Sequence, residues 1–156
     1  QVAGRAGRGE VEGRAVVQTY SPENSAIRFA GQHDYEGFYQ EEIEMRRAMW
    51  YPPFCEIISI VASGLNETMV IRRMREIGRL LHFRCGDGGC GKVQILGPTA
   101  AGISKIKDKY RWHIMIKCEA ADRLDEVLRE IVEVHTASEN SKWISLTIDK
   151  NPNSLA

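Results

Sequence analysis

Phe54-Cys-Glu-Ile-Ile-Ser-Ile-Val-Ala62, followed at once by Asn66-Glu-Thr-Met-Val-Ile-Arg-Arg-Met-Arg-Glu-Ile-Gly-Arg-Leu-Leu-His-Phe-Arg84, decides the fold class. The first stretch is rich in β-branched residues and reads as a buried strand. In the second, Val70, Met74, Ile77 and Leu81 recur at 4-3-4 spacing. They therefore line one face of a helix over 66–84, while Arg72, Arg73, Arg75, Glu76 and Arg79 lie elsewhere. Downstream, Val93 to Leu96 reads as a short strand ended by Gly97-Pro98, and residues 103–118 read as two strands around a polar turn near Lys107-Asp108-Lys109. Residues 121–135 form another helix, with Leu124, Leu128, Ile131 and Val134 or His135 at helical spacing. From Lys142 to Asp149 the apolar Ile144, Leu146 and Ile148 alternate with Trp143, Ser145 and Thr147, the period of a half-buried strand. The order β-α-β, hairpin, α-β predicts an α+β fold. In this split βαβ (ferredoxin-like) sandwich, helices cover one face of a mainly antiparallel sheet.

Upstream of this domain, Pro52-Pro53 stops a helix over 33–49 that carries Tyr35, Phe38, Tyr39, Ile43 and Met45, with Asp34 as its cap. Ser21-Pro22-Glu23 opens a shorter helix running to about Ala30. Arg14 to Tyr20 reads as a strand. The expected division is residues 1–32, a connecting helix and linker over 33–53, and a domain over 54–156.

The 156 residues carry 21 basic and 21 acidic side chains, so net charge gives no hint of a polyanionic partner and any such partner must meet a local patch. No apolar run approaches the ~18–20 residues that span a bilayer, and no signal peptide is visible. The four scattered cysteines, Cys55, Cys85, Cys90 and Cys118, suit a reducing cytoplasm better than a disulfide scaffold. Gln1 stands in place of Met and inside a motif, so a piece of a longer protein is expected.

That motif is Gln1-Val-Ala-Gly-Arg-Ala-Gly-Arg8. Arg5 and Arg8 lie three residues apart, on one face of a short helix, among small residues that let an anion approach the backbone. Paired guanidiniums suit phosphate oxygens; a solvated Gly/Arg-rich loop is the bland alternative. The octamer resembles motif VI of superfamily 2 helicases, Gln-x-x-Gly-Arg-x-Gly-Arg, at Gln1, Gly4, Arg5, Gly7 and Arg8. The resemblance implies that Arg5 and Arg8 sense the γ-phosphate of ATP, with Gln1, Gly4 and Gly7 in support.

Further segments narrow the resemblance. Val17 to Glu23, His33 to Phe38, Glu41 to Arg47, Tyr51-Pro-Pro-Phe54, Leu96-Gly-Pro98, Ile103 to Ile106, Tyr110-Arg-Trp112 and Ile148-Asp149 with Pro152 stand in the order seen in the primosomal protein N′ (PriA) family of replication-restart helicases. Membership implies an ATP- and magnesium-dependent DNA helicase that moves 3′ to 5′, restarts stalled forks and helps reload the replicative helicase. It implies zinc on a Cys-rich insertion upstream of Gln1. Its partners would be single-stranded and forked DNA, single-strand-binding protein and primosome loading proteins. Residues 1–32 would end a RecA-like motor lobe, and the C-terminal domain would resemble a small-subunit ribosomal protein. The chain alone, lacking a phosphate loop and magnesium site, is expected not to hydrolyse ATP.

Over 103–117 five cations, Lys105, Lys107, Lys109, Arg111 and Lys117, face the single acid Asp108, a local charge of +4. Strand parity sends Arg111, His113, Met115 and Lys117 to one face and Tyr110, Trp112, Ile114 and Ile116 to the other. A basic hairpin of this kind tracks phosphates, with Tyr110 or Trp112 stacking on bases if exposed. The alternative is an edge hairpin kept soluble by lysines. The helix face bearing Arg72, Arg73, Arg75 and Arg79 is a second basic surface.

Two patterns are decoys. Gly86 to Lys92 has phosphate-loop spacing, but Val93 replaces the required Ser or Thr, and the loop leaves a helix for a strand, the reverse of the required order. His82, Cys85 and Cys90 lack a fourth zinc ligand, so no metal is expected. Besides the helicase fragment, two other functions fit the chain: a ribosomal-type nucleic-acid module and a primosome docking domain without DNA contact.

Overall fold

Ile58, Ile60 and Ala62, alternate residues of one strand, are fully buried, and the fold is built around them. The structure is a computed structural model and describes residues 15–86, 88 and 90–152. Contacts divide the chain into Gln1–Glu44 and Met45–Ala156.

In the first unit, α1 (Ser25–Gly31) is capped by Asn24, whose side chain accepts from the Ala26 N–H at 3.0 Å. The helix thus starts later than the Ser21-Pro22 signal predicts. Ser21 instead closes a turn, its carbonyl accepting from the Asn24 N–H at 3.1 Å. The expected strand over 14–20 is absent from its described residues, 15–20, where Val16 and Val17 are exposed. A β-rich run forms a strand only where a partner edge receives its backbone groups. The next helix, α2 (Tyr35–Ala48), begins as expected at Asp34, whose carboxylate accepts from the Gly37 N–H at 2.8 Å. The division between units falls within α2.

The second unit runs β1 (Glu56–Gly64), α3 (Glu67–Cys85), β2 (Val93–Ile106), β3 (Lys109–Cys118), α4 (Asp125–Ala137) and β4 (Ile144–Lys150). The strands form one antiparallel sheet in the order β2-β3-β1-β4. A βαββαβ chain in this strand order is the split βαβ arrangement. From α3, Val70, Met74, Ile77 and Leu81 enter the core at the 4-3-4 spacing; from α4, Val127, Leu128 and Ile131 join them. Both helices cover the sheet face that carries Ile58, Ile60, Ile114, Ile116 and Ile144. Each fully buried isoleucine contributes about 2–3 kcal/mol by leaving water.

Three details differ from the sequence reading. β2 does not stop at Gly97-Pro98 but continues for 14 residues through two register shifts, at Leu96/Thr99 and Ala100/Lys105. Two features permit this. Gly97 takes φ +102, and Pro98 stands on an edge strand, where its missing N–H costs no ladder bond. Residues 121–124 form a turn of 3-10 helix ahead of α4. Arg73 does not join the basic face of α3. It is only 6% exposed, and its guanidinium donates to Glu76 at 3.2 Å, to the Val134 carbonyl at 3.5 Å and to the Ser138 hydroxyl, stapling α3 to the end of α4. No helix among the described residues is long and apolar enough to cross a membrane.

Candidate nucleic-acid interface

The β2–β3 hairpin turns through Lys107-Asp108, both with positive φ (48° and 63°), between the paired residues Ile106 and Lys109. This is the geometry of a two-residue type I′ turn, whose twist matches that of the flanking strands. The turn brings Lys105, Lys107, Lys109 and Arg111 to one end of the sheet. Lys105 lies 3.2 Å from Asp108 and 5.2 Å above the Tyr110 ring. The hydrogen bond to Asp108, with Tyr110 nearby, raises the Lys105 pKa, so its charge is secure. Lys107 and Lys109 are exposed. Arg111 donates to the Ile103 carbonyl at 3.5 Å, bracing the bulged part of β2.

Strand parity is as expected. Arg111, His113, Met115 and Lys117 stand opposite Ser63, Val61, Ser59 and Ile57 of β1, on the sheet face away from the helices. Lys117 nevertheless separates from the other four cations. It is 5% exposed, its Nζ donates to the Met49 carbonyl at 3.0 Å, and it lies 3.5 Å above the Tyr51 ring. Its charge holds the segment that precedes β1. Lys92, in the bend just ahead of β2, does the same, 4.2 Å above the Trp50 ring. The lysine of the phosphate-loop look-alike is therefore packed on an aromatic face.

Burial, with Arg111 nearby, lowers the pKa of His113. Trp112 turns inward against the core, and its indole N–H donates to Glu67 at 3.2 Å. Trp143 is the aromatic at this sheet end that meets solvent, 70% exposed. It precedes Ile144, which pairs with Gly64, which in turn pairs with Tyr110. Sequence reading missed it. The alternation read from Lys142 to Asp149 predicts Trp143 inside the last strand; instead it closes the 3-10 turn Glu139–Lys142, just ahead of β4, on the side of β1 away from the hairpin.

The remaining candidates stand apart. Gln1, Gly4, Arg5, Gly7 and Arg8 lie outside the described residues. All four cysteines are free thiols. Burial first, then the neighbouring Cys90, pushes Cys85 up to about 12, and burial, then Glu56, pushes Cys118 up to about 11. Protonated thiols are poor nucleophiles and poor metal ligands. Among the described residues no three His, Cys, Asp or Glu side chains gather as a metal site.

Comparison with known proteins accords with this architecture. The family model described as "Primosomal protein N C-terminal domain" matches residues 47–153. The chain is 36% identical over 152 residues to Replication restart protein PriA of Bacillus subtilis (strain 168), covering 97% of this chain and 18% of that protein. It is 34% identical over 155 residues to the protein of that name from Synechocystis sp., covering 99% of this chain and 18% of the relative. For the Thermotoga maritima protein the identity is 33% over 134 residues, 86% of this chain and 17% of the relative. The chain therefore spans less than a fifth of the length of these relatives.

Proposed function

This chain belongs to the primosomal protein N C-terminal domain family, and from that premise we propose that it is the DNA-handling part of a helicase that restarts stalled replication forks. The observation that carries the reading is the exposed cationic hairpin. Lys107 and Lys109 face solvent, and Asp108, the one acid of the turn, is engaged with Lys105. Such an array meets phosphates as solvated point charges and, with Arg111, as a forked donor. Lys117, held by Met49 and Tyr51, serves the fold instead. Trp143, exposed at the same sheet end, is the side chain available to stack on an unpaired base.

In this reading Arg5 and Arg8, supported by Gln1, Gly4 and Gly7, sense the γ-phosphate of ATP held by the rest of the motor. ATP, magnesium and a zinc-bearing insertion belong to the longer protein, as do 3′-to-5′ movement, forked DNA, single-strand-binding protein and the loading proteins as partners. A cytoplasmic location goes with that role. The experiment is hydrogen exchange with and without a single-stranded oligonucleotide. Amides of 103–111 should gain protection, while those of α4 stay unchanged; protection confined to α4 would refute the hairpin's role.

A second reading has its own observation. Ile103, 55% exposed, and Ile106, 41% exposed, flank the hairpin cations and would suit a protein partner. Binding that is insensitive to salt would favour it.

A further inference from the structure

On α3, Arg75, Arg79 and His82 follow at spacings of four and three residues, so they stand in one line along the helix. From Arg75 to His82 the helix rises ~10 Å. With Gly78, Gly97 and Pro98 they line a cleft of about 340 Å³. Gly78 is buried and has no side chain, so the helix surface there is bare backbone; Pro98, in the irregular part of β2, faces it.

The cleft is cationic without internal compensation. Glu76, the acid nearest in sequence, pairs with Arg72 at 3.3 Å and Arg73 at 3.2 Å. Among the described residues no acid pairs with Arg75 or Arg79; Arg79 Nε donates to the Arg75 carbonyl at 3.4 Å. Two guanidiniums at a concave surface, without a counter-charge, match the oxygens of a phosphodiester.

The cleft also lies on the path of the hairpin. Gly97 sits against Ile114 of β3, and Lys105 pairs with Tyr110, four residues along the same strand. At the rise of an extended strand that is ~13 Å. One nucleic-acid strand can therefore reach both along the exposed β2 edge.

We infer that this cleft is a second phosphate-binding site, which takes the sugar–phosphate backbone of the DNA strand met by the hairpin. The inference rests on the DNA reading above. The test is fluorescence anisotropy of the full 156-residue chain with an oligo-dT of about 15 nucleotides, a length that covers an extended groove, across a salt series. The variants are Arg75→Ala with Arg79→Ala, Arg75→Lys with Arg79→Lys, and the hairpin variant with Lys105, Lys107, Lys109 and Arg111 all changed to Ala.

The alanine pair should weaken binding roughly tenfold and lower the slope of log K against log salt by about 1.4, two phosphates' worth on a single strand. The lysine pair should keep the slope. Thermal unfolding matching wild type would show that the variants fold. If wild type binds and the alanine pair keeps both affinity and slope, the cleft inference is overturned while the hairpin reading stands. If the alanine pair loses binding and the hairpin variant does not, the hairpin reading fails and the cleft survives. If wild type binds no DNA, both fall.

Discussion

At the scale of single residues, burial and charge do the sorting. Arg73 and Arg75 are two positions apart on the same helix, yet one is enclosed and the other lines a cleft. Arg73→Ala leaves the Val134 carbonyl and the Ser138 hydroxyl without their donor. It should cost about 2 kcal/mol, read in denaturant unfolding, because hydrogen bonds to a charged group are the stronger kind. Arg75→Ala, by contrast, should unfold like wild type.

His135 is buried beside Arg73, and its Nδ1 has no partner among the described residues. Burial, then Arg73, lowers its pKa from the ordinary 6.5. Because the unfolded chain takes up the proton first, stability is intact above about pH 6.5 and falls as the pH drops below it, where unfolded His is protonated and folded His is not. His113, lowered by burial and Arg111, acts in the same direction. The melting temperature should therefore fall between pH 6.5 and 5, and His135→Gln should flatten part of that fall. An unchanged slope in the variant would assign the fall to other groups. On sequence, either Val134 or His135 is the inward residue. Helical spacing admits both; in α4 His135 continues the buried face of Leu128 and Ile131, and Val134 stands half exposed, ahead of the 3-10 turn Glu139–Lys142.

At the scale of elements, period was the reliable signal. The 4-3-4 pattern of α3, the alternation of β4 and the polar break between β2 and β3 all reappear in the structure. What period could not reveal was whether Gly97-Pro98 ends a strand or bends one. That depends on β2 being at the edge, which is a property of the sheet rather than of the segment. The opening Val16-Val17 stretch shows the converse: strand-like residues without a strand.

The hairpin turn is itself a place to intervene. Asp108 adopts φ 63°, a conformation that glycine takes without strain, and it is also the turn's one negative charge. Asp108→Gly should raise stability by about 0.5–1 kcal/mol. On the DNA reading it should also tighten oligonucleotide binding, because Lys105 loses its competing partner. A variant that is more stable but binds DNA no better would count against phosphate tracking by the hairpin.

At the scale of the whole molecule, the chain joins two compact units. The division after Glu44 lies inside α2, and the family model begins at residue 47, whereas the Pro52-Pro53 pair predicts a boundary a few residues later. The reason is chemical. Tyr51 and Trp50 are bound by Lys117 and Lys92, so the residues just before the prolines are already part of the sheet domain. Such long-range cation–aromatic contacts leave no periodic trace. The fold class is legible because α3, β3, α4 and β4 each carry a helical or strand period; the basic surface is legible at the hairpin, where neighbouring residues carry it. The Arg75–Pro98 cleft is not, since it joins residues some twenty positions apart.

The most direct measurement of the central claim is single-stranded oligonucleotide binding across a salt series. It compares wild type with the variant in which Lys105, Lys107, Lys109 and Arg111 are all alanine. Wild type should bind with a steep salt dependence, and the variant should lose most of its affinity and about 3 units of slope, four cations at ~0.7 each. Equal binding and equal slopes in the two proteins would contradict the assignment of the hairpin as the DNA surface.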